Sequence, residues 1–205
     1  MYIKVAPIIL AGGLGRRVGI DKNFIKICGR NLIEYQINKL RKIFDKIFIS
    51  CKENYEKLSY LLSRDVILLR DMFKIRHPLS GIVTASLILR GKYTHMFVLP
   101  VDLPNVSVSF IEYLISLLDS DVECIVPRWR NGYLEPLLAV YDIEGVIRFL
   151  KTNPSDTWDR VPVRSLASSL RRVIFISAEE ILEKFGNVFL NVNTLQNLEL
   201  SVKCI

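Results

Sequence analysis

The sequence predicts an α/β fold: a single-domain, Rossmann-like, mostly parallel sheet flanked by helices. Apolar runs alternate with amphipathic segments along the chain, which is the pattern of strands joined by crossover helices. The first apolar run leads into a glycine-rich segment and then a helical pattern, as expected where a sheet of this kind binds a ligand. The 205 residues are enough for one substantial core, and we expect one domain over residues 1–205.

The apolar runs are the predicted strands. They are short, rich in Ile, Val, Leu and Phe, and bounded by polar or turn-forming residues. The seven predicted strands are Tyr2–Leu10, Lys46–Ser50, Val66–Leu69, His95–Pro100, Glu123–Pro127, Leu134–Val140 and Arg172–Ile176.

The amphipathic segments are the predicted helices. In the first of them Ile33 and Ile37 begin an apolar face at helical spacing. Ser107 and Ser177 are predicted N-caps, and the stretch Lys151–Arg164, with two prolines, is a predicted loop. The six predicted helices are Leu32–Phe44, Tyr55–Ser63, Ser80–Arg90, Ser107–Leu118, Ile143–Thr152 and Ala178–Phe185.

Composition excludes several classes of protein. Apolar residues make up 50% and charged residues 24%, and no apolar run is long enough to cross a bilayer, so we expect a cytoplasmic protein without a membrane partner. The net charge of +7 comes from dispersed cations, which favours a small polyanion over nucleic acid. Four scattered cysteines and two histidines argue against a zinc site or a Ser-His-Asp triad.

The glycine-rich segment is the strongest functional signal. Four glycines and three cations lie within the eleven residues from Gly12 to Lys22. Glycine lets the backbone approach a phosphate closely, and Arg16, Arg17 and Lys22 can neutralise it. The spacing fits neither the Walker loop nor the dinucleotide motif, so the segment predicts a nucleoside triphosphate site of another kind.

Two aspartates follow predicted strands. Asp102 lies at the carboxyl end of an apolar run, where open α/β sheets bind ligands, and a carboxylate there suits Mg²⁺ that bridges nucleotide phosphates. A cap of the turn before Pro104 is the alternative. Asp71 is a second metal or nucleotide contact, or only a turn residue.

The segment Arg128–Leu137 has two interpretations. Arginines flank Trp129, an arrangement able to hold a phosphate and stack on a planar ring. The alternative is a solvated hairpin turn at Asn131-Gly132.

Together these motifs resemble a known family. Leu10–Lys22 resembles the LAGGxxxRMGxDK signature of nucleotidyltransferases, with Val18 in place of methionine. Ile49–Lys52 has no asparagine where the family often has one that contacts the nucleotide. The pieces that resemble the MobA family of molybdenum cofactor guanylyltransferases, over nearly the whole chain, are Asp71, Pro78–Gly81, Pro100–Pro104, Glu135–Leu137 and Asn191–Thr194.

The resemblance implies a nucleotide-diphospho-sugar transferase-like fold and a reaction. GMP would pass from GTP to the terminal phosphate of molybdenum-molybdopterin, with Mg²⁺ bound and pyrophosphate released. The implied catalytic residues are Arg17, Lys22 and Asp102. The other implied roles are nucleotide binding for Leu10, Ala11, Gly12, Gly13, Arg16, Lys22, Asp71 and Asp102, metal binding for Asp102, and acceptor binding for Asn191 and Asn193.

Three alternatives remain open from the sequence. The same fold can use CTP, or a different phosphorylated acceptor such as a cobinamide phosphate or a sugar phosphate. A non-catalytic nucleotide-binding module is a different class of function. The presence of both Lys22 and Asp102 argues against the binding module, because nucleotide binding alone does not require both of these residues. The sequence leaves the oligomeric state open.

Overall fold

A computed structural model describes residues 2–12, 21–52 and 54–192. Its centre is a seven-stranded sheet with the order β5-β4-β1-β6-β8-β7-β9. A two-stranded ribbon, β2 paired with β3, lies apart from this sheet. The strands are β1 Val5–Leu10, β2 Lys26–Ile27, β3 Arg30–Asn31, β4 Ile47–Cys51, β5 Val66–Arg70, β6 His95–Pro100, β7 Cys124–Arg128, β8 Ala139–Asp142 and β9 Val173–Ser177.

Helices connect most of these strands. The α-helices are α1 Leu32–Leu40, α2 Tyr55–Leu58, α3 Pro78–Leu89, α4 Val108–Ser116, α5 Ile143–Thr152, α6 Arg164–Ser169 and α7 Ala178–Phe185. Both predicted serine N-caps are confirmed, because the Ser107 hydroxyl accepts from the Phe110 amide at 3.1 Å and the Ser177 hydroxyl accepts from the Glu180 amide at 3.2 Å.

The sheet is mostly parallel, as predicted. β1 lies between β4 and β6 and pairs in parallel with both, so the carboxyl ends of these strands meet at one edge. β8 is antiparallel to β6 and to β7. Ligands bind at such an edge in open α/β sheets.

The core lies on both faces of the sheet. Alternate residues of the central strands point to opposite sides. Ile9 and Phe97 are buried in one apolar cluster and Ile8 and Val98 in the other. Because both faces of β1 and β6 are buried, packing fixes the positions of these strands and of the residues at their carboxyl ends.

The local structure differs from the sequence predictions in several places, and helix α1 ends at Leu40 instead of Phe44. The predicted strand Leu134–Val140 begins only at Ala139, because the segment before it turns at Pro136, whose carbonyl accepts from the Tyr141 hydroxyl. α2 is short and ends in a 3-10 turn at Ser59–Leu61. Helix α6 was not predicted. Within the described ranges, no helix has the length and apolar character needed to cross a bilayer.

Candidate active site

A cavity of about 560 Å³ lies beyond the carboxyl ends of β1, β4, β5 and β6. Its wall is polar on the side of the glycine-rich segment and includes residues from four strand ends. The residues that line it are Leu10, Gly12, Asp21, Lys22, Ser50, Lys52, Asn54, Lys57, Asp71, Ile75, Arg76, His77, Pro78, Gly81, Pro100, Val101, Asp102 and Leu137.

Lys22 and Asp102 form an ion pair in this cavity. The Lys22 ammonium donates to Asp102 Oδ2 at 2.6 Å, and the two side chains are only 21% and 16% exposed. Lys22 begins a 3-10 turn whose N-cap, Asp21, accepts from the Asn23 amide. Asp102 lies two residues after Pro100, the last residue of β6. The prediction that both residues lie at the strand-end edge is confirmed.

Asp71 lies across the cavity at the end of β5. Its Oδ1 accepts from the Ser50 hydroxyl, and its backbone amide donates to the Cys51 carbonyl at 2.9 Å. Burial raises the pKa of Asp71, although the Ser50 hydrogen bond and the charge of Lys52 oppose this shift. The geometry therefore gives a half-buried carboxylate held by a neighbouring strand.

Gly81 lets helix α3 approach the base of the cavity. A Cβ at this position would lie 2.5 Å from Ser50 Oγ and 3.0 Å from Leu10 Cδ2. A larger residue would force the Ser50 side chain, and with it the Leu10 side chain, out of place. The glycine in Pro78–Gly81 is thus explained by packing against two residues that line the cavity.

Helix α3 begins at the cavity wall. Pro78 occupies its first turn, and the Leu79 amide donates to Nδ1 of His77, the N-cap, at 3.3 Å. An Nδ1 that accepts this bond belongs to a neutral imidazole, and burial lowers the pKa of His77, which favours that form. The twelve-residue helix directs its positive end toward the cavity.

The sequence analysis missed Asn54. This residue is 7% exposed and lines the cavity, and its amide donates to the Ala11 carbonyl at 2.8 Å. Asn23 donates to the same carbonyl at 2.9 Å. Asn54 Oδ1 is buried and has no protein partner in the described part of the chain. An asparagine is therefore present three residues after β4, although Ile49–Lys52 lacks one.

A second cavity of about 370 Å³ adjoins the first. The two share Pro100, Asp102 and Leu137. The residues found only in the second are Leu103, Tyr133, Leu134, Glu135, Pro136, Leu138, Pro162, Val163, Arg164, Phe189 and Asn191. Asp102 is therefore the acidic residue that faces both spaces.

The Arg-Trp-Arg segment forms a turn. Gly132 has φ +83°, its amide donates to the Trp129 carbonyl, and the Trp129 indole donates to Glu135 at 2.8 Å. The indole also packs on Phe189, with ring centroids 5.2 Å apart. The hairpin-turn interpretation is confirmed, and Trp129 supports the wall of the second cavity.

The structure brings together most of the predicted site residues that it describes. Leu10, Gly12, Lys22, Asp71 and Asp102 line the first cavity, and the Ala11 carbonyl is bound by two residues at its edge. Asn191 lines the second cavity. The predicted residues Gly13, Arg16, Arg17 and Asn193 lie outside the described residues.

The single carboxylate of Asp102 fits a metal ion whose other ligands come from water and from a bound nucleotide. In the described ranges no three His, Cys, Asp or Glu residues are grouped closely enough to hold an ion. Asp102 supplies one carboxylate, and Mg²⁺ commonly uses one or two carboxylates together with phosphate oxygens and water. The part of the chain that the structure describes therefore offers too few protein ligands to enclose an ion, whereas an ion that also binds nucleotide phosphates fits.

Comparison with known proteins decides the family. Residues 7–173 match the family described as MobA-like NTP transferase domain, which is more than half of the chain. The chain belongs to this family. MobA-like NTP transferases are nucleotidyltransferases, and the chain is therefore a nucleotidyltransferase enzyme.

Individual MobA-like relatives cover nearly all of the chain. A probable molybdenum cofactor guanylyltransferase of Methanocaldococcus jannaschii is 31% identical, over 97% of this chain and 98% of that protein. One from Thermococcus kodakarensis is 34% identical over 93% and 90%. The crystal structure of molybdopterin-guanine dinucleotide biosynthesis protein A from Archaeoglobus fulgidus superposes with a TM-score of 0.77, at 24% identity over 96% of each chain, and shows the same fold.

Proposed function

We propose that this enzyme transfers GMP from GTP to the terminal phosphate of a molybdopterin-type acceptor in the cytoplasm, with Mg²⁺ bound and pyrophosphate released. The observation that carries the proposal is the position of Asp102 and Lys22 where the two cavities meet. Transfer between two substrates requires the α-phosphate of one to face the phosphate of the other, and a shared boundary with a cation and a carboxylate suits that arrangement.

The first cavity fits the nucleotide. Its volume of about 560 Å³ is within the usual range for a small-molecule site. Lys22 lies beside Asp102. The wall of the cavity also includes Lys52 and Lys57, and the positive end of α3 faces the same space. These charges suit a triphosphate.

Asn54 suits the base. Its amide is fixed on the Ala11 carbonyl, so its buried Oδ1 is left as an acceptor that an N–H of a base can satisfy. Guanine offers N–H donors at N1 and N2 that can fill this position. Cytosine also carries an N–H donor, at N4, so the choice of GTP over CTP rests on the family resemblance and not on this contact alone.

The second cavity fits the acceptor. Tyr133 and Phe189 give it aromatic surface, and Arg164 gives it a cation. A planar heterocycle with a phosphate needs apolar contact for the ring and a cation for the phosphate. Asn191 lines the same space, as the family resemblance implies.

The proposed reaction needs no strong general base. An oxygen of the acceptor phosphate, already ionised at neutral pH, attacks the α-phosphorus of GTP, and the bond from that phosphorus to the bridging oxygen of pyrophosphate breaks. Lys22 holds and neutralises phosphate oxygens, and Asp102 holds the metal. Mg²⁺, when bound, supplies charge neutralisation for the phosphates. The predicted contribution of Arg17 is further neutralisation.

A panel of substrates tests the proposal. Pyrophosphate release is measured with GTP or CTP, each offered a phosphorylated pterin, a cobinamide phosphate or a sugar phosphate, with Mg²⁺ present. We expect release only with GTP and the phosphorylated pterin. Release with CTP or with another acceptor would replace the proposed substrates but keep the reaction class. Nucleotide binding without release from any pair would favour a binding module.

A further inference from the structure

The segment that carries Asp102 is held by its backbone carbonyls. Gln36 Nε2 donates to the Val101 carbonyl at 3.2 Å and to the Leu103 carbonyl at 2.9 Å. These two carbonyls flank Asp102 on either side. The Asp102 carbonyl itself accepts from the Val192 amide at 2.9 Å. One buried side-chain amide therefore binds the carbonyls immediately before and after the residue that is proposed to bind the metal.

Gln36 is fully enclosed. Its relative exposure is 0%, and it lies on the buried face of α1 with Leu32, Ile33 and Leu40. Burying an amide is costly unless its groups are bonded. The Gln36 Oε1 accepts from the Lys39 ammonium at 2.9 Å, and the two donor contacts occupy the other end. The amide is satisfied at both ends, and all of its partners except Lys39 belong to the Asp102 segment.

Lys39 extends the same contact. Its ammonium also donates to the Pro104 carbonyl at 2.6 Å. Gln36 and Lys39 are three residues apart and lie on neighbouring positions of one helix face. Consecutive carbonyls from Val101 to Pro104 are therefore bound, three of them by α1 and one by Val192.

The sheet alone does not fix this segment. The register between β1 and β6 ends at Leu10 and Pro100. Beyond it, the Val101 amide donates to the Leu10 carbonyl at 3.3 Å and the Leu103 amide to the Pro100 carbonyl at 3.4 Å, both longer than usual. The shorter bonds are those that α1 makes to the Leu103 and Pro104 carbonyls and the one that the Val192 amide makes to the Asp102 carbonyl.

We propose that Gln36 is a positioning residue for Asp102: its amide holds the carbonyls on both sides of the aspartate and thereby sets where the carboxylate meets the metal and the α-phosphate. This inference rests on the proposed function for the role of Asp102. Small displacements of a group that binds reacting phosphates are costly to the rate, so the contact affects the chemical step more than nucleotide binding.

Gln36→Met tests the proposal, because methionine has a similar length and no hydrogen-bond donor. Gln36→Glu is the second variant, since it keeps the shape and removes the donors. Ile37→Val is the control: it lies on the same helix, is buried, and its side chain has no hydrogen-bonding group. All three are compared with wild type for folding by circular dichroism.

Three readouts are measured. The first is hydrogen exchange of residues 99–106 in the ligand-free protein. The second is Mn²⁺ binding, followed by electron paramagnetic resonance in the presence of GTP. The third is kcat and KM for GTP in pyrophosphate release. For Gln36→Met we expect about tenfold faster exchange in the segment, weaker Mn²⁺ binding, and a kcat about tenfold lower with KM for GTP nearly unchanged.

The contrary outcomes are distinct. Exchange, Mn²⁺ binding and kcat equal to those of Ile37→Val would overturn the proposal. Faster exchange with unchanged Mn²⁺ binding and kcat would also overturn it, since Gln36 would then serve only stability. If Asp102→Ala binds Mn²⁺ as wild type does, the metal role of Asp102 fails. The exchange measurement needs neither metal nor substrate and still decides whether Gln36 fixes the segment.

Discussion

The Lys22 ammonium lies 2.6 Å from Asp102 Oδ2, and this contact joins residues that are 80 positions apart in the chain. Lys22 follows the glycine-rich segment, and Asp102 follows the central strand β6. The two side chains are only 21% and 16% exposed, so solvent screens the pair less than it screens a surface pair. The contact brings a phosphate-neutralising cation next to the carboxylate proposed to hold the metal.

Lys22→Met is expected to impair the reaction more than the fold. Removal of a cation that faces developing charge lowers kcat/KM by about a hundredfold, since one such donor commonly contributes that much. Lys57→Met is the control, because Lys57 lines the same cavity but is not part of the Lys22–Asp102 pair. Steady-state kinetics of pyrophosphate release measure both. Equal losses in the two variants would contradict a specific role for Lys22.

Asn54→Ala is expected to reduce base selectivity. The substitution removes the buried Oδ1 acceptor and the bond to the Ala11 carbonyl, which Asn23 still binds. The preference for GTP over ITP, which lacks the N2 amine, should fall by about tenfold, the effect of one lost hydrogen bond. Competition binding measures this ratio. An unchanged preference would show that Asn54 does not bind the N2 amine.

Gly81→Ala is expected to damage the nucleotide site. The new methyl would lie 2.5 Å from Ser50 Oγ, so Ser50 and its partner Asp71 must move. We expect a loss of about 1–3 kcal/mol in unfolding free energy and weaker GTP binding. Gly145→Ala is the matched control in helix α5, where the methyl would meet the Leu170 side chain at 2.8 Å. It should leave GTP binding unchanged, and a similar loss of binding in both variants would refute the proposal for Gly81.

Lys39 is expected to make stability depend on pH. Burial, with a smaller contribution from the charge of Lys42, lowers the pKa of Lys39 from 10.5 to about 7. As the pH falls between these values, the unfolded chain takes up a proton that the folded protein does not, so stability decreases and then levels off below about pH 7.

Comparison with Lys39→Met isolates this effect. The variant loses the hydrogen bonds from Lys39 to the Pro104 carbonyl and to Gln36, which lowers its unfolding free energy, and it lacks the lysine titration. The unfolding free energy of wild type minus that of the variant should therefore rise between about pH 7 and pH 10, as measured by urea denaturation. A difference that is constant or falls with pH would contradict the lowered pKa.

Strand-end reasoning predicted the part of the site that depends on local pattern. Asp71 and Asp102 follow apolar runs, and parallel strands bring their carboxyl ends to one edge, so their common location was accessible from the sequence. Asn54 and Gln36 were not accessible in this way. Asn54 binds the Ala11 carbonyl, and Gln36 binds the Val101 and Leu103 carbonyls. These partners are distant in the chain, and no spacing in the sequence encodes such contacts.

The predicted elements differ from those in the structure because contacts between distant parts of the chain decide where strands and short helices form. The run Leu134–Val140 is apolar enough for a strand, but its first part makes only an isolated bridge from Leu134 to Arg128 before the chain turns at Pro136. Regular pairing begins at Ala139 with β6 and at Val140 with β7. Helix α6 is six residues long and has no side-chain N-cap, so it carried no start signal.

Transfer of a labelled α-phosphate from GTP is the most direct test of the central claim. Wild type and Asp102→Ala are incubated with Mg²⁺, GTP labelled at the α-phosphorus and a phosphorylated pterin, and the label in the pterin product is counted. The account predicts label transfer by wild type, with one pyrophosphate released per label, and none by a folded Asp102→Ala variant. Full transfer by that variant, or no label in the product of wild type, would contradict it.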